Sequence, residues 1–192
     1  MNDEEDSGFR VEVATEKNIH MASLISQTME ESARIRGTGI AKRSPETIAK
    51  HMLEGNAVIA IHDSGRWAGF CYLALWENGL FVSNSGLIVA PEFRDHGVAK
   101  KLKIKLFELS RKKYPKASIV GITTSIAVMK MNTSLGFHAT TFSEIPKEEN
   151  FWAGCKSCVN HDILERTGKK FCLCTAMRFD PDTQTNPFIC FR

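Results

Sequence analysis

The segment that most constrains the fold is residues 86–102, where an apolar run ends at a proline and a glycine-bearing loop opens directly into a helix. Residues 87–89 are typical of a buried strand, and Pro91 cannot continue one. A helix N-terminus offers unpaired N–H groups and about half a positive charge, and Gly97 lets the backbone approach a ligand closely. The pattern therefore predicts a strand, a turn that binds phosphate, and a helix.

The charge of the chain is concentrated on that helix. The whole chain has a net charge of +3, whereas residues 100–116 contain eight basic residues and one acidic residue, a local charge of +7. We therefore expect one anionic partner at one place; the alternative is a solvated, lysine-rich helix face. A nucleic-acid binder would need aromatic side chains among the lysines, and only Phe107 lies there, so we expect no nucleic-acid partner.

Length and composition predict a single globular domain. The chain has 192 residues, of which 43% are hydrophobic and 24% charged. We place the domain at residues 9–179, including a cysteine-rich segment at 150–175, between an acidic tail (1–8) and a C-terminal tail (180–192). The acidic start is unlike a signal peptide, and no apolar run approaches the roughly 20 residues that span a membrane, so we expect a cytoplasmic protein without membrane contact.

Apolar periodicity and turn residues predict an α/β (α+β) domain with a mixed, mostly antiparallel sheet and helices on both faces. The element order is β-α-α-β-β-β-α-β-α-β, followed by a cysteine-rich C-terminal extension with one more strand. The predicted strands are 9–13, 57–62, 67–76, 80–89, 119–123, 137–142 and 171–179. The predicted helices are 19–34, 45–55, 98–114 and 127–135.

The turn at residues 89–99 resembles the signature of the GNAT superfamily of acyl-CoA-dependent N-acyltransferases. That signature is V-x-P followed by R/Q-x-x-G-x-G/A at the start of a helix, and this chain has Val89-x-Pro91 and Arg94-x-x-Gly97-x-Ala99. The element order matches the family over about residues 9–142. The resemblance implies transfer of an acetyl or related acyl group from coenzyme A to an amine, by direct attack in a ternary complex.

The resemblance also implies where acetyl-CoA, or another acyl-CoA, binds. Backbone amides of the turn would hold the pyrophosphate, and the strand before it would run beside the pantetheine arm. Gly86 would mark a β-bulge that parts two parallel strands and admits that arm. The implied binding residues are Leu87, Ile88, Val89, Arg94, Asp95, His96, Gly97, Val98, Ala99 and Lys100.

The implied catalytic groups depart from the family pattern. A tyrosine usually protonates the departing thiolate, but the corresponding position here is Asn132, whose amide can hydrogen-bond the sulfur but is not an acid. Family members often carry a glutamate on the strand before V-x-P, where residues 81–85 contain no carboxylate. The alternative bases are Glu77, His138 and a water held by Asn84 or Ser85. We choose Asn132, Ser85 and Glu77 as the candidate catalytic residues.

Substrate recognition in the family draws on the first two helices and their connection. Arginines there suit a carboxylate and an acidic side chain suits an ammonium, so the predicted acceptor is a small-molecule amine, with an amino acid such as glutamate first. Thr123-Thr124 adds a resemblance to N-acetylglutamate synthase acyltransferase domains. The chosen residues are Glu30, Arg34, Arg36 and Arg43. An ordinary charged surface, protein or peptide acylation, and a catalytically degenerate coenzyme A sensor stay open.

Four cysteines after residue 150 have the spacing C-x2-C-x13-C-x-C. Two interpretations stay open. Four thiolates suit structural zinc, with His161 as an optional ligand, and free cysteines are also common core residues. The candidate ligands are Cys155, Cys158, Cys172 and Cys174. We also expect a homodimer.

Overall fold

The computed structural model describes residues 8–37 and 42–181, and the two predicted tails lie outside these ranges except for Gly8 and residues 180–181. The strands are β1 (Phe9–Val13), β2 (Ala57–His62), β3 (Trp67–Trp76), β4 (Phe81–Val89), β5 (Ser118–Thr123), β6 (His138–Thr140) and β7 (Thr175–Phe179). The helices are α1 (Ala22–Arg36), α2 (Pro45–Leu53), α3 (Val98–Lys113), α4 (Ile126–Ser134), α5 (Glu149–Ala153) and α6 (His161–Arg166).

Local chemistry fixes the helix boundaries. Ser44 caps α2 by accepting the N–H of Thr47, and Pro45 occupies the first helical position. Ser125 caps α4 by accepting the N–H of Val128. Gly37 ends α1 in the left-handed conformation, at φ +60°.

The seven strands form one sheet in the order β1-β2-β3-β4-β5-β7-β6. Every neighbouring pair is antiparallel except β4 and β5, which are parallel. The predicted mixed, mostly antiparallel sheet is therefore confirmed. β7, the last strand in the chain, lies between β5 and β6.

Three clusters of buried side chains cover the sheet. The largest joins β1–β4 to α1, α2 and α3 around Phe70, Ile59 and Leu102. A second surrounds Trp152 and includes Val120 of β5, so the cysteine-rich extension packs on the second half of the sheet. Among the described residues, no helix is long and apolar enough to cross a membrane.

The observed elements differ from the predicted ones mainly near the C-terminus. α5 and α6 were not predicted, and they arise within the cysteine-rich segment. β7 begins at Thr175 rather than 171, so Cys172 and Cys174 precede the strand. The helix predicted from residue 19 begins as the 3-10 turn Glu16–Met21, which a capping box with Thr15 starts early.

Candidate active site

The strands β4 and β5 part at the centre of the sheet. Their parallel pairing covers three positions, ending at Ser83 opposite Val120, although β5 continues to Thr123. Beyond Ser83, the edge of β4 that faces β5 carries backbone groups without a ladder partner in the described chain. Such an edge can pair with an extended ligand as a neighbouring strand would.

A β-bulge at Gly86 turns β4 at this point. Tyr72 of β3 pairs with Ser85, but Phe70, two residues earlier, pairs with Ile88, so β4 carries one extra residue. Gly86 has φ +66°, and an added Cβ would lie 2.4 Å from Cε1 of Tyr72. Only glycine satisfies both the conformation and the close approach, and the predicted bulge is confirmed.

A cavity of about 680 Å³ opens where the strands part. Asn84, Gly121, Lys103 and Asn132 form its inner wall. Its opposite side is made by residues 42–43, just before α2, and by the cysteine-rich segment, which meet where the N–H of Lys42 donates to Ser157 Oγ at 3.1 Å. Of the predicted site residues, those that line the cavity are Ser85, Leu87, Asn132, Arg36, Arg43, Cys155, Cys158, Cys172 and Cys174.

Two asparagines leave polar atoms unsatisfied in this wall. Oδ1 of Asn132 and Nδ2 of Asn84 are buried and have no hydrogen-bond partner among the described residues. The other ends are held: Nδ2 of Asn132 contacts Sδ of Met177 at 3.5 Å, and Oδ1 of Asn84 accepts from Ser110 Oγ at 2.8 Å. One free acceptor and one free donor therefore suit the amide groups of a bound ligand.

The opposite side of the cavity is cationic. Arg36, Lys42 and Arg43 line it, and no aspartate or glutamate of the described residues does. Arg43 donates to the hydroxyl of Tyr72, and its guanidinium carbon lies 5.7 Å from that ring's centre. Burial, and then the nearby positive charge of Arg94, lowers the pKa of Arg36. An anionic ligand would relieve this repulsion.

His51 packs against the cationic side through Tyr72, the residue that Arg43 contacts. Its ring stacks on Tyr72 with centres 4.1 Å apart, and its Nδ1 is buried without a partner among the described residues. Burial lowers the pKa of His51 to about 4, so the ring is neutral at neutral pH. No sequence pattern marks His51 or Tyr72, because only the fold places them beside Arg43.

Three of the predicted catalytic and substrate-binding residues lie outside the cavity lining, and of the predicted coenzyme-binding residues only Leu87 lies within it. Glu30 forms a salt bridge with Lys42, and Arg34 is exposed on α1. The carboxylate of Glu77 accepts the N–H of Lys147 at 2.6 Å and fixes a loop. Glu77 therefore lies outside the cavity lining with its carboxylate bonded to the backbone, and its role as a base stays a prediction.

The turn between β4 and α3 is open to solvent. Gly97 has φ +74°, and an added Cβ would meet nothing within 4 Å. It precedes α3 without a side-chain cap, and Arg94 ties the turn to α1 by donating to Ser32 Oγ at 3.1 Å. Lys100 is exposed here, whereas Lys103, one turn later, is buried.

The four cysteines do not support the zinc interpretation. Among residues 8–37 and 42–181, no group of three or more His, Cys, Asp or Glu side chains is arranged to hold a metal ion. Burial raises the pKa of Cys174 to about 12 and also raises the pKa of Cys155, and the neighbouring cysteines add to both shifts. The thiols of Cys155, Cys172 and Cys174 pack against the apolar cluster around Trp152.

The fold has clear counterparts among solved structures, although no family model and no curated protein sequence matches the chain. N-acetylglutamate synthase from Neisseria gonorrhoeae, complexed with coenzyme A and N-acetyl-glutamate, is 17% identical with a TM-score of 0.62. The match covers 90% of this chain but 35% of that one, so this chain spans about a third of the synthase.

Two further structures match over nearly their whole lengths. A Mycobacterium tuberculosis protein in complex with CoA is 16% identical with a TM-score of 0.62, covering 89% of this chain and 98% of that chain. The GNAT superfamily phosphinothricin acetyltransferase from Sinorhizobium meliloti, in complex with AcCoA, is 13% identical with a TM-score of 0.58, covering 90% and 88%. The parted strands, the bulge and these matches together show that the chain has the fold of the GNAT acetyltransferases.

Proposed function

We propose that the protein is an acetyl-CoA-dependent N-acyltransferase whose acceptor is a small amine carrying a carboxylate, with an amino acid such as glutamate first. The acyl group is acetyl or a related group, and the amine attacks it directly in a ternary complex. The observation that carries the proposal is the cavity at the parted strands, with neutral polar groups and one buried lysine on one side and several cations on the other, and no carboxylate of the described residues in its lining.

Coenzyme A fits the open turn and the free edge of β4. Backbone amides of residues 94–100 would hold the pyrophosphate, since the helix end is uncapped and Gly97 faces open space. Leu87 and Val89 would flank the pantetheine arm. Ile88, whose side chain is 3% exposed in the core, would contribute its backbone alone.

The bound thioester supplies an acyl group that an amine can attack. A backbone N–H on the free edge of β4 near Ser85 would stabilise the developing oxyanion, and Asn132 would hold the ligand through its free Oδ1. No carboxylate of the described residues lines the cavity to act as a base. The nearby cations instead favour deprotonation of the acceptor, because positive charge lowers the pKa of its ammonium group.

Arg36 and Arg43 would bind the acceptor's carboxylate. Both line the cavity, and a guanidinium matches a carboxylate with two parallel hydrogen bonds. Glu30 is not retained as a partner for the acceptor's ammonium, because it already pairs with Lys42.

Turnover with paired acceptors tests this proposal. The protein and acetyl-CoA are incubated with amino acids and with their carboxamides, and free thiol and the N-acyl product are followed. We expect amino acids, glutamate among them, to react at least ten times faster than their amides. A factor of about ten corresponds to the loss of one charge-assisted hydrogen bond to the carboxylate. Equal rates for both members of each pair would contradict the carboxylate assignment.

Coenzyme A binding is tested at Gly97. Gly97→Trp fills the space above the turn, and Gly97→Ala shares its backbone strain without the bulk. Calorimetry should show at least tenfold weaker binding for the tryptophan variant only. Equal affinity of both variants and the wild type would refute the pyrophosphate assignment.

A coenzyme A sensor is the second candidate function, because no carboxylate base lines the described cavity. Tight binding without turnover on any amine would favour it, and acetylation of peptides but not of amino acids would favour a peptide acyltransferase. A homodimer and a cytoplasmic location stay predictions, which sedimentation and cell fractionation would test.

A further inference from the structure

Lys103 is the buried charge of the inner cavity wall. It lies on α3, is 4% exposed, and lines the cavity with Asn132, Asn84 and Gly121. The family's usual tyrosine acid is replaced here by Asn132. A proton donor on the same wall is therefore the group that the proposed chemistry lacks.

Lys103 has no acidic partner. Its Nζ lies 5.6 Å from the centre of the Phe137 ring, and no aspartate or glutamate of the described residues forms a salt bridge with it. Cys71 of β3 is the titratable group whose charge acts on Lys103 in the described chain. Burial raises the pKa of the Cys71 thiol to about 12, so Cys71 stays neutral and offers no counter-charge.

Its neighbour on the same helix provides a contrast. Lys105 is partly exposed and lies 3.9 Å from the carboxylate of Glu108. A buried ammonium without a counter-ion is unfavourable, and folds keep such groups mainly where an anion arrives or a proton is transferred. Burial lowers the pKa of Lys103 to about 8, so the group can both hold and release a proton near neutral pH.

We propose that Lys103 is the acid of the reaction, donating the proton that the departing coenzyme A sulfur requires. This inference rests on the proposed N-acyltransferase function and adds a catalytic residue to it.

The step balances without any other reagent. When the C–S bond of the thioester breaks, sulfur keeps the electron pair, and an N–H bond of the Lys103 ammonium gives its proton to that sulfur. Free coenzyme A thiol and a neutral lysine amine result. The amine regains a proton from the attacking nitrogen, which loses one as it becomes an amide, directly or through water. A free thiol ordinarily has a pKa of about 8.5, so the transfer is close to balanced in free energy.

The first test uses binding alone. The thiol of coenzyme A bound to the wild-type protein is titrated by the ultraviolet absorbance of its thiolate, and Lys103→Met and Lys105→Met are titrated in parallel. An adjacent ammonium should lower the thiol's pKa by at least one unit in the wild type and in Lys105→Met. The shift should vanish in Lys103→Met. The same thiol pKa in Lys103→Met as in the wild type would overturn the proposal.

The second test is the pH dependence of kcat. The wild type should lose activity above about pH 8, as the Lys103 ammonium deprotonates. Lys103→Met should lose this alkaline limb and about 10²-fold in kcat, with KM for acetyl-CoA within threefold. Lys103→Arg keeps the charge but cannot release a proton near pH 8, so it should also lose the limb. Unchanged kcat and pH profile in Lys103→Met would refute the acid role.

The two tests separate this inference from the proposed function. Turnover by the wild type with an unaffected Lys103→Met variant overturns the acid role alone. A Lys103-dependent thiol shift without turnover on any amine supports the contact between Lys103 and sulfur and overturns the proposed reaction. A wild-type protein that binds no coenzyme A overturns both. Circular dichroism confirms that each variant is folded.

Discussion

The two sides of the cavity are built by different means. The side formed by β4, β5 and α3 uses backbone geometry and neutral polar groups, with Lys103 as a single buried charge among the described residues that line it. The side formed by residues 42–43 and the cysteine-rich segment uses exposed or half-buried cations. Under the proposed function, shape and backbone groups would select the acyl-CoA, whereas charge would select the acceptor.

The two sides also differ in how far apart their residues lie in the sequence. The backbone side comes from consecutive elements within residues 81–132, whereas the cationic side joins Lys42 to Ser157 across 115 residues. Substitutions on the first side should therefore change folding and donor binding, and substitutions on the second should change acceptor binding.

The largest expected effect is at the bulge. Gly86→Ala puts a Cβ 2.4 Å from the Tyr72 ring and places alanine at φ +66°. We expect the free energy of unfolding to fall by about 2–4 kcal/mol, combining left-handed strain with overpacking. Gly97→Ala, at φ +74° but in open space, should lose about 1 kcal/mol. Urea unfolding measures both variants. Equal losses in the free energy of unfolding would show that the contact with Tyr72 is not what requires glycine at position 86.

The next effect is a gain in stability at Lys103. The lysine's pKa is about 8 in the fold and ordinarily 10.5, so its contribution to stability is fully present above pH 10.5 and is lost as the pH falls towards 8. Lys103→Met should therefore raise the free energy of unfolding by about 1–3 kcal/mol at pH 7. The gain should shrink as the pH rises towards 10.5, and a gain independent of pH would contradict this origin.

A smaller effect is expected on the cationic side. Arg43→Met removes a cavity-lining guanidinium, and should raise KM for an amino-acid acceptor about tenfold while leaving KM for acetyl-CoA within threefold. Arg34→Met, outside the cavity lining, is the matched control and should change neither. A rise in KM for acetyl-CoA alone would contradict this prediction, because it would show that Arg43 binds the donor rather than the acceptor.

The smallest effect is the pH dependence from His51. Its pKa is about 4 in the fold and ordinarily 6.5, so the neutral ring stabilises the fold above pH 6.5, and this is lost as the pH falls towards 4. We expect a loss of about 1 kcal/mol across that range, reduced by solvent screening because the ring is not fully buried. His51→Phe should flatten that part of the thermal stability curve, and an unchanged curve would contradict the assignment.

Much of the fold follows from local patterns in the sequence. Ser44, Pro45 and Gly37 act within a few residues of themselves, so they fix helix ends wherever the helices pack. The predicted bulge at Gly86 and the signature turn were likewise readable. Helices α5 and α6 were not, because short helices depend on tertiary packing, here against the cluster around Trp152.

The candidate site was less predictable. Spacing alone gave the four cysteines the appearance of a zinc site, but the tertiary arrangement of their side chains decides whether the described residues can hold a metal ion, and that arrangement is not written in the spacing. Lys103 shows the same limit. It lies three residues before Leu106, on the inner face of the helix, and this was the one signal that could have separated it from the exposed lysines.

The sequence by itself determined the strand, turn and helix of residues 86–102, because proline, glycine and an uncapped helix end act on the adjacent backbone. Only the tertiary structure decided which lysine enters the cavity, which arginines face it, and that the cysteine-rich segment closes it. Those outcomes depend on contacts between residues far apart in the chain, and the desolvation and charge that set their chemistry exist only once those contacts have formed.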